Sequence, residues 1–228
     1  MKRSTINDMI SEADEFIRSF GFALPPVAYW SPDEMKARRS EIERVVAGRM
    51  GWDITDYGLG RFDEMGLILF TLRNGQLAEL QQGRGMCYAE KLLISRQDQL
   101  SPMHSHFLKA EDIINRGGAR LAVELYGSSE GGAFDESAGG TVLCDGISRS
   151  FKPGEILMLD PGQSVTLMPG DWHAFWGEGG DVLIGEVSTV NDDETDNWFR
   201  EKIGRFAKID EDVAPTHLLV SDYPDWLG

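Results

Sequence analysis

The stretch Ser101-Pro102-Met103-His104-Ser105-His106-Phe107-Leu108-Lys109-Ala110-Glu111 decides the reading of this chain. Residues 103–108 have the pattern of a strand, and on a strand His104 and His106 point to the same face. Glu111 follows after a short connection, and Gly117 closes the segment. Far downstream, Pro169-Gly170-Asp171-Trp172-His173 offers another imidazole just after a Pro-Gly turn. The chain has 4 histidines in all, so three of them falling into one pattern is informative. A polar strand face would account for the His-x-His pair alone. With Glu111 and the Pro-Gly-x-x-His segment added, the better reading is a metal site whose ligands are His104, His106, Glu111 and His173.

Working outward, short strand-like runs fill the middle of the chain: residues 66–72, 88–94, 119–126, 141–144, 155–159, 164–167 and 182–190. Asn74-Gly75 is a hairpin signal, and Gly117-Gly118, Asp145-Gly146, Pro153-Gly154, Pro161-Gly162 and Gly179-Gly180 punctuate the rest. Many short strands between Gly/Pro turns predict an all-β sandwich or barrel. Residues 127–140, rich in Ser and Gly, are expected to be a mobile loop.

The N-terminal fifth has a different period. Ile6, Met9, Ile10, Ala13, Phe16, Ile17 and Phe20 recur at helical spacing, with Gly21 as the stop. Ser31-Pro32-Asp33-Glu34 is a capping box that opens a second helix, expected to run until Gly51. A further short helix is expected over residues 198–206 and an extended piece over 217–220. The expected organisation is a helical extension over residues 1–60, a barrel over 61–190 and a C-terminal extension over 191–228, all within one structural domain.

Composition bounds the function. The 228 residues carry a net charge of −16, which disfavours nucleic acid and argues against a polybasic membrane anchor. No apolar segment follows Met1-Lys2-Arg3, so no signal peptide is expected, and no run approaches the ~18 apolar residues a spanning helix needs. The 2 cysteines, Cys87 and Cys144, lack disulfide or CxxC spacing and read as reduced, buried thiols of a cytoplasmic enzyme.

The His104-Ser105-His106/Glu111/Gly117 pattern resembles the first cupin motif with slightly variable spacing, and Pro169–His173 resembles the second, one residue short before its Gly. No Gly precedes His104 at the expected place and Trp176 replaces the usual Asn, departures that touch turns and not ligands. The resemblance implies a cupin double-stranded β-helix (jelly-roll) barrel with N-terminal α-helices added. Phe22-Ala23-Leu24-Pro25-Pro26 with Trp30-Ser31-Pro32, Tyr88-Ala89-Glu90-Lys91, and residues 185–193 (GEVSTVNDD) look like bacterial D-lyxose isomerases. That family resemblance covers nearly the whole chain. It implies a divalent metal, most often Mn²⁺ (with Zn²⁺, Co²⁺ or Fe²⁺ as other candidates), and interconversion of D-lyxose and D-xylulose, with D-mannose and D-fructose as secondary substrates.

Such chemistry moves a proton between C2 and C1 through a cis-enediol, and three neutral imidazoles with one carboxylate leave a divalent ion a surplus charge suited to an anionic intermediate. Glu186, in parity with Val182 and Ile184, is the candidate base. Lys109, between two ligands, is the candidate acid or electrophile, with its pKa expected to be lowered by the ion. Lys91, Trp176 and Glu211 are expected at the substrate, and Glu124 is a weaker candidate. Asp192, Asp193, Glu194 and Asp196 read as a solvated loop, and His217 as a packing residue. A homodimer is expected. The competing functions on the same ligands are a metal-dependent cupin dioxygenase and a non-catalytic sugar-binding cupin.

Overall fold

In a computed structural model that describes residues 1–228, two long bent strands organise the chain. These are β5 (Glu111–Tyr126) and β10 (Trp172–Thr189), antiparallel partners along most of their length. Each belongs to two sheets. The second half of β10 lies between β5 and β3 (Tyr88–Ser95), and beyond β3 come β2 (Leu67–Asn74) and β1 (Gly51–Thr55). The first half of β5 continues that sheet through β9 (Ser164–Leu167) to β6 (Gly140–Cys144) and β7 (Ile147–Phe151). The other halves of β5 and β10 form the facing sheet, with β8 (Glu155–Leu159) on one side and β4 (Ser101–Ser105) and β11 (Trp198–Phe199) on the other. This is the cupin jelly-roll expected from the motifs.

Glycine pairs make the bends. Gly117-Gly118 and Gly179-Gly180 were read as turns that end strands, yet β5 and β10 run through them, with register shifts between Glu178 and Val182 and between Leu183 and Ile184. All four have positive φ, and a Cβ on Gly118 would stand 2.3 Å from the Asp181 carbonyl oxygen. Only glycine lets the backbones approach so closely at that corner.

The sheet that contains β2 is buried on both faces, which explains the continuous apolar run Leu67-Ile68-Leu69-Phe70. Leu67 and Leu69 point into the barrel beside Leu93, Ile113, Leu121, Val182 and Ile184. Ile68 and Phe70 point out against helix α1 (Arg3–Ser19), whose Ile6, Ile10, Ala13 and Ile17 follow the expected stripe. Gly21, at φ 74°, ends that helix as predicted.

Five local expectations need correction. The Ser31 capping box forms, but its helix α2 stops at Ala37, and α3 (Glu43–Ala47) follows separately. Between Met35 and Ile42 the one apolar residue, Ala37, is exposed, so no continuous stripe faces the core. Gly51 starts β1 instead of closing a helix, so the sheet begins before residue 61. Asn74-Gly75 makes no tight hairpin, because α4 (Leu77–Gln81) intervenes before β3. Residues 198–206 form no helix: Trp198 and Phe199 pair with Ser105 and His104 of β4. Near the C-terminus, a 3-10 turn (Val220–Asp222) leads into α5 (Tyr223–Leu227). No helix is long and apolar enough to cross a membrane. Cys144 is half-buried, but Cys87, expected to be buried, is exposed.

Candidate metal centre and active site

The ligands converge through strand pairing. His173 on β10 and His104 on β4 are register partners, and their rings lie 4.1 Å apart between centroids. His106 stands one residue past the end of β4, so a loop and not the pleat delivers it, 5.2 Å from His104. Glu111 opens β5 and shares its inward parity with Ile113. One candidate ligand atom from each of the four lies within 4.8 Å of the others.

The protonation pattern follows from the neighbours. His104 Nδ1 faces the Pro102 carbonyl at 2.8 Å, His106 Nδ1 the Asp196 carbonyl at 2.5 Å, and His173 Nδ1 the Asp171 carbonyl at 3.1 Å. A carbonyl oxygen can only accept, so each Nδ1 carries the hydrogen, and in the neutral ring that a metal ligand requires Nε2 is the bare lone pair. Burial, and next the neighbouring His173 and His106, keep His104 protonation well below the ordinary imidazole range. Glu111 Oε1 lies 3.3 Å from His106 Nε2 and 3.2 Å from His173 Nε2. All three of these atoms are buried without a hydrogen-bond donor. Acceptors facing acceptors at this distance are costly unless a cation stands among them. The residues present therefore fit a divalent metal, and backbone carbonyls fix each imidazole as ligating histidines require.

Beside this cluster runs a chain of buried charge. Lys109 Nζ bridges Glu111 Oε2 at 2.7 Å and Glu186 Oε1 at 3.2 Å. Lys91, the register partner of Glu186, places its own Nζ 3.2 Å from the same Oε1 and 3.4 Å from Asp193. Arg205 then joins Asp193 at 3.3 Å to Asp53 at 2.7 Å. Lys91, Lys109, Glu111 and Glu186 are each at most 4% exposed. Burial opposes the charged form of Lys109, but Glu111, Glu186 and Asp193 outweigh it and raise its pKa. These neighbours hold Lys109 as an ammonium; the lowering expected from the sequence would come from a bound ion, which opposes them. Burial raises the Asp193 carboxyl, itself half-buried, yet Lys91, Arg205 and Lys109 outweigh this and hold it well below the usual range.

These groups line a cavity of about 50 Å³ whose wall includes His104, His173, Lys91, Lys109, Glu111 and Glu186. Sequence reasoning also named Trp176 and Glu211 for the substrate, and the structure places neither there. Trp176 is one residue out of step with His173 and Phe175, so Phe175 faces the cavity and Trp176 bonds to Glu178. Glu211 pairs instead with Arg3 of α1. Glu124 bonds to Tyr126, also outside the cavity. His217, as read, is a packing residue bonded to the Trp30 carbonyl.

The cavity residues that sequence reasoning missed are Thr55, Tyr57, Asp193, Asn197, Phe199 and Arg205. Two of the four acids read as a solvated loop are in fact buried or nearly so: Asp193 lines the cavity and Asp196 is 6% exposed. Two acids at exposed neighbours of buried ones gave no periodic signal that could have separated them.

Comparison with known proteins places the chain in a family. The D-lyxose/D-mannose isomerase of Serratia proteamaculans is 43% identical over 226 residues, covering 98% of both chains. The protein of the same description from Escherichia coli O157:H7 is 42% identical with equal coverage. Among solved structures, the L-ribose isomerase of Acinetobacter sp. DL28 superposes with a TM-score of 0.61 over 92% of this chain and 98% of that one, at 17% identity, a likeness of fold. Residues 1–223 match the profile of the D-lyxose isomerase family, and the chain belongs to that family of sugar isomerases.

Proposed function

We propose that this aldose–ketose isomerase interconverts D-lyxose and D-xylulose, with D-mannose and D-fructose as a second pair, and depends on a divalent metal, Mn²⁺ before Zn²⁺, Co²⁺ or Fe²⁺. The observation that carries the reading is the meeting of bare acceptors from His106, Glu111 and His173, with His104 alongside, next to the Lys109–Glu186 pair. A bound divalent ion would supply Lewis acidity toward the substrate's carbonyl and hydroxyl oxygens. The names of the relatives support the sugar pair.

The chain's own residues supply the proton chemistry. Lys91 and Lys109 both sit on Glu186 Oε1, which leaves Oε2 as the oxygen to take the proton from C2 and return it to C1 through a cis-enediol. Lys109, kept as an ammonium, donates toward the oxygen on which charge develops while the hydroxyl proton passes from O2 to O1. Asp193 and Arg205, which also line the cavity, are proposed to bind sugar hydroxyls. We further propose a homodimer working in a reducing, cytoplasmic compartment, in keeping with two free cysteines.

A panel of aldoses and ketoses assayed with each metal and with EDTA tests the reading. Lyxose turnover that EDTA abolishes and Mn²⁺ restores, with or without O₂, is the expected result. Turnover indifferent to thorough chelation removes the metal. Turnover that requires O₂ selects the dioxygenase, and lyxose binding with no xylulose formed selects a sugar-binding cupin. Light scattering on the purified chain tests the dimer.

A further inference from the structure

The loop from His106 to Ala110 carries or adjoins three functional groups, yet its first residues have no strand partner. Its backbone amides converge on one side chain ninety residues downstream. Asp196 Oδ1 accepts from Phe107 N at 2.7 Å and Leu108 N at 3.1 Å, and Oδ2 accepts from Lys109 N at 2.8 Å and, less closely, from Leu108 N at 3.3 Å. The carbonyl of the same residue accepts from His106 Nδ1 at 2.5 Å. Four consecutive residues are therefore held by one.

Asp196 is 6% exposed and no cation lies within ion-pair distance of it, so these amides are what stabilise its charge. Packing holds this turn only in part: Phe107 and Leu108 are 44% and 66% exposed, and Phe107 meets one ring, Trp198, edge-on at 4.2 Å between centroids. Asp196 is anchored in turn, since its N–H donates to the Asp192 carbonyl at 3.0 Å, and the Asp192 carboxylate accepts from Glu194 N, Thr195 N and Thr195 Oγ1. The residues after the barrel thus fix a turn within it.

We propose that Asp196 is a positioning residue, whose carboxylate and carbonyl together hold the His106–Lys109 turn so that His106 Nε2 and Lys109 Nζ stay registered on Glu111. The carbonyl sets the tautomer that leaves Nε2 bare. The carboxylate sets the path by which Lys109 turns inward while its two neighbours turn out. This rests on the reading that the cluster binds a divalent ion, and its experiment separates the two.

The full chain is compared with Asp196→Ala and Asp196→Asn for Mn²⁺ affinity, for hydrogen exchange of the Phe107, Leu108 and Lys109 amides in the metal-free protein, and for kcat and KM at saturating Mn²⁺. In Asp196→Ala, Mn²⁺ should bind about 10–100-fold more weakly, as when outer partners of metal ligands are removed. The three amides should exchange at least about tenfold faster, and kcat should fall more than KM changes. Asparagine keeps one acceptor oxygen for Phe107 and Leu108 but sets an amide group against Lys109 N–H, so Asp196→Asn should fall between. A role in folding alone would lower Tm while leaving Mn²⁺ affinity and the exchange of these amides, relative to the rest of the chain, unchanged. That result in either folded variant overturns the proposal, and Asp196→Asn decides if the alanine variant does not fold. Should the wild-type chain itself bind no Mn²⁺, the metal reading falls. Exchange in the metal-free chain then still decides: faster exchange supports the clamp, unchanged exchange overturns it.

Discussion

Two buried ionic clusters share this molecule, and they differ in one respect that separates structure from chemistry. Where α1 meets the C-terminal residues, Arg3 is wholly buried and donates to both oxygens of Asp222, at 2.8 and 2.9 Å, and both oxygens of Glu211, at 2.6 and 2.8 Å. Asp222 also accepts from Leu219 N at 2.8 Å, and no atom of this trio is left without a partner. The cluster in the barrel is more deeply buried and more highly charged, yet it leaves His106 Nε2, His173 Nε2, Glu111 Oε1, Asp53 Oδ1 and Arg205 Nη1 bare. Burial and charge are common to both. What marks the second as a working site is unsatisfied capacity aimed at a cavity.

The largest effect should come from emptying the open cluster of a ligand. His173→Ala is expected to lose bound metal and turnover together, measured by metal analysis after gel filtration and by ketose formation. Turnover surviving in a metal-free preparation would break the comparison at its root. Glu186→Gln should keep the metal and lose about 10²–10⁴ in kcat, the usual worth of a positioned acid–base group. Because glutamine nearly preserves shape, Tm should move little. A variant with wild-type kcat would remove Glu186 from the proton transfer.

The closed cluster should answer in the opposite way. Arg3→Met leaves Asp222 buried without its cation, and breaking a buried pair from one side costs about 3–5 kcal/mol. At about 2–4 °C per kcal/mol for a chain of this size, Tm should fall by roughly 6–20 °C. The kcat of the protein that remains folded should be unchanged. A large loss of kcat at wild-type Tm would mean that Arg3 and Glu211 act on the substrate after all, as the sequence alone suggested for Glu211.

The place of Glu211, beside the residues that do converge, shows what a sequence makes legible. His104, His106, Glu111 and His173 are readable because strand pairing and a short loop turn fixed spacings into fixed directions. Lys91 and Glu186 are readable by parity, each in step with inward apolar residues such as Leu93 and Ile184. Trp176 was chosen for its closeness in sequence to His173 and not by parity: an odd step of three from an inward His173 leads outward, whereas Phe175 faces the cavity. Asp193, Asp196 and Arg205 lie beyond the last long strand, where no period exists to orient them. Their positions come from tertiary packing of the C-terminal segment over the barrel mouth. The breaks in β5 and β10 were misplaced for a related reason: a glycine pair signals a sharp change of direction, but only the neighbouring strands decide whether pairing continues through it.

The smallest predicted effect concerns acid, and it distinguishes the clusters once more. Asp193 and Glu211 both ionise more readily in the folded chain than usual. For Asp193 burial opposes this and is outweighed by Lys91, Arg205 and Lys109, whereas for Glu211 the leading cause is its hydrogen bond from Arg3. A carboxyl whose folded value is depressed contributes stability that is fully present above its unfolded value, about 3.9 for Asp and 4.3 for Glu, and is lost as the pH falls through the folded one. Below about pH 4 the unfolded chain binds the proton that folded Asp193 refuses, so Tm should decline there, at no more than about 1.4 kcal/mol per pH unit from this group. Asp193→Asn cannot bind that proton in either state, so its Tm against pH should be flatter below pH 4 and lower above it. The Glu211 side chain is 52% exposed, against 18% for Asp193, so water screens it and Glu211→Gln should flatten the acid limb less. If the two variants flatten it equally, the cation-rich barrel mouth holds its carboxylate no more firmly than the closed cluster at the termini does.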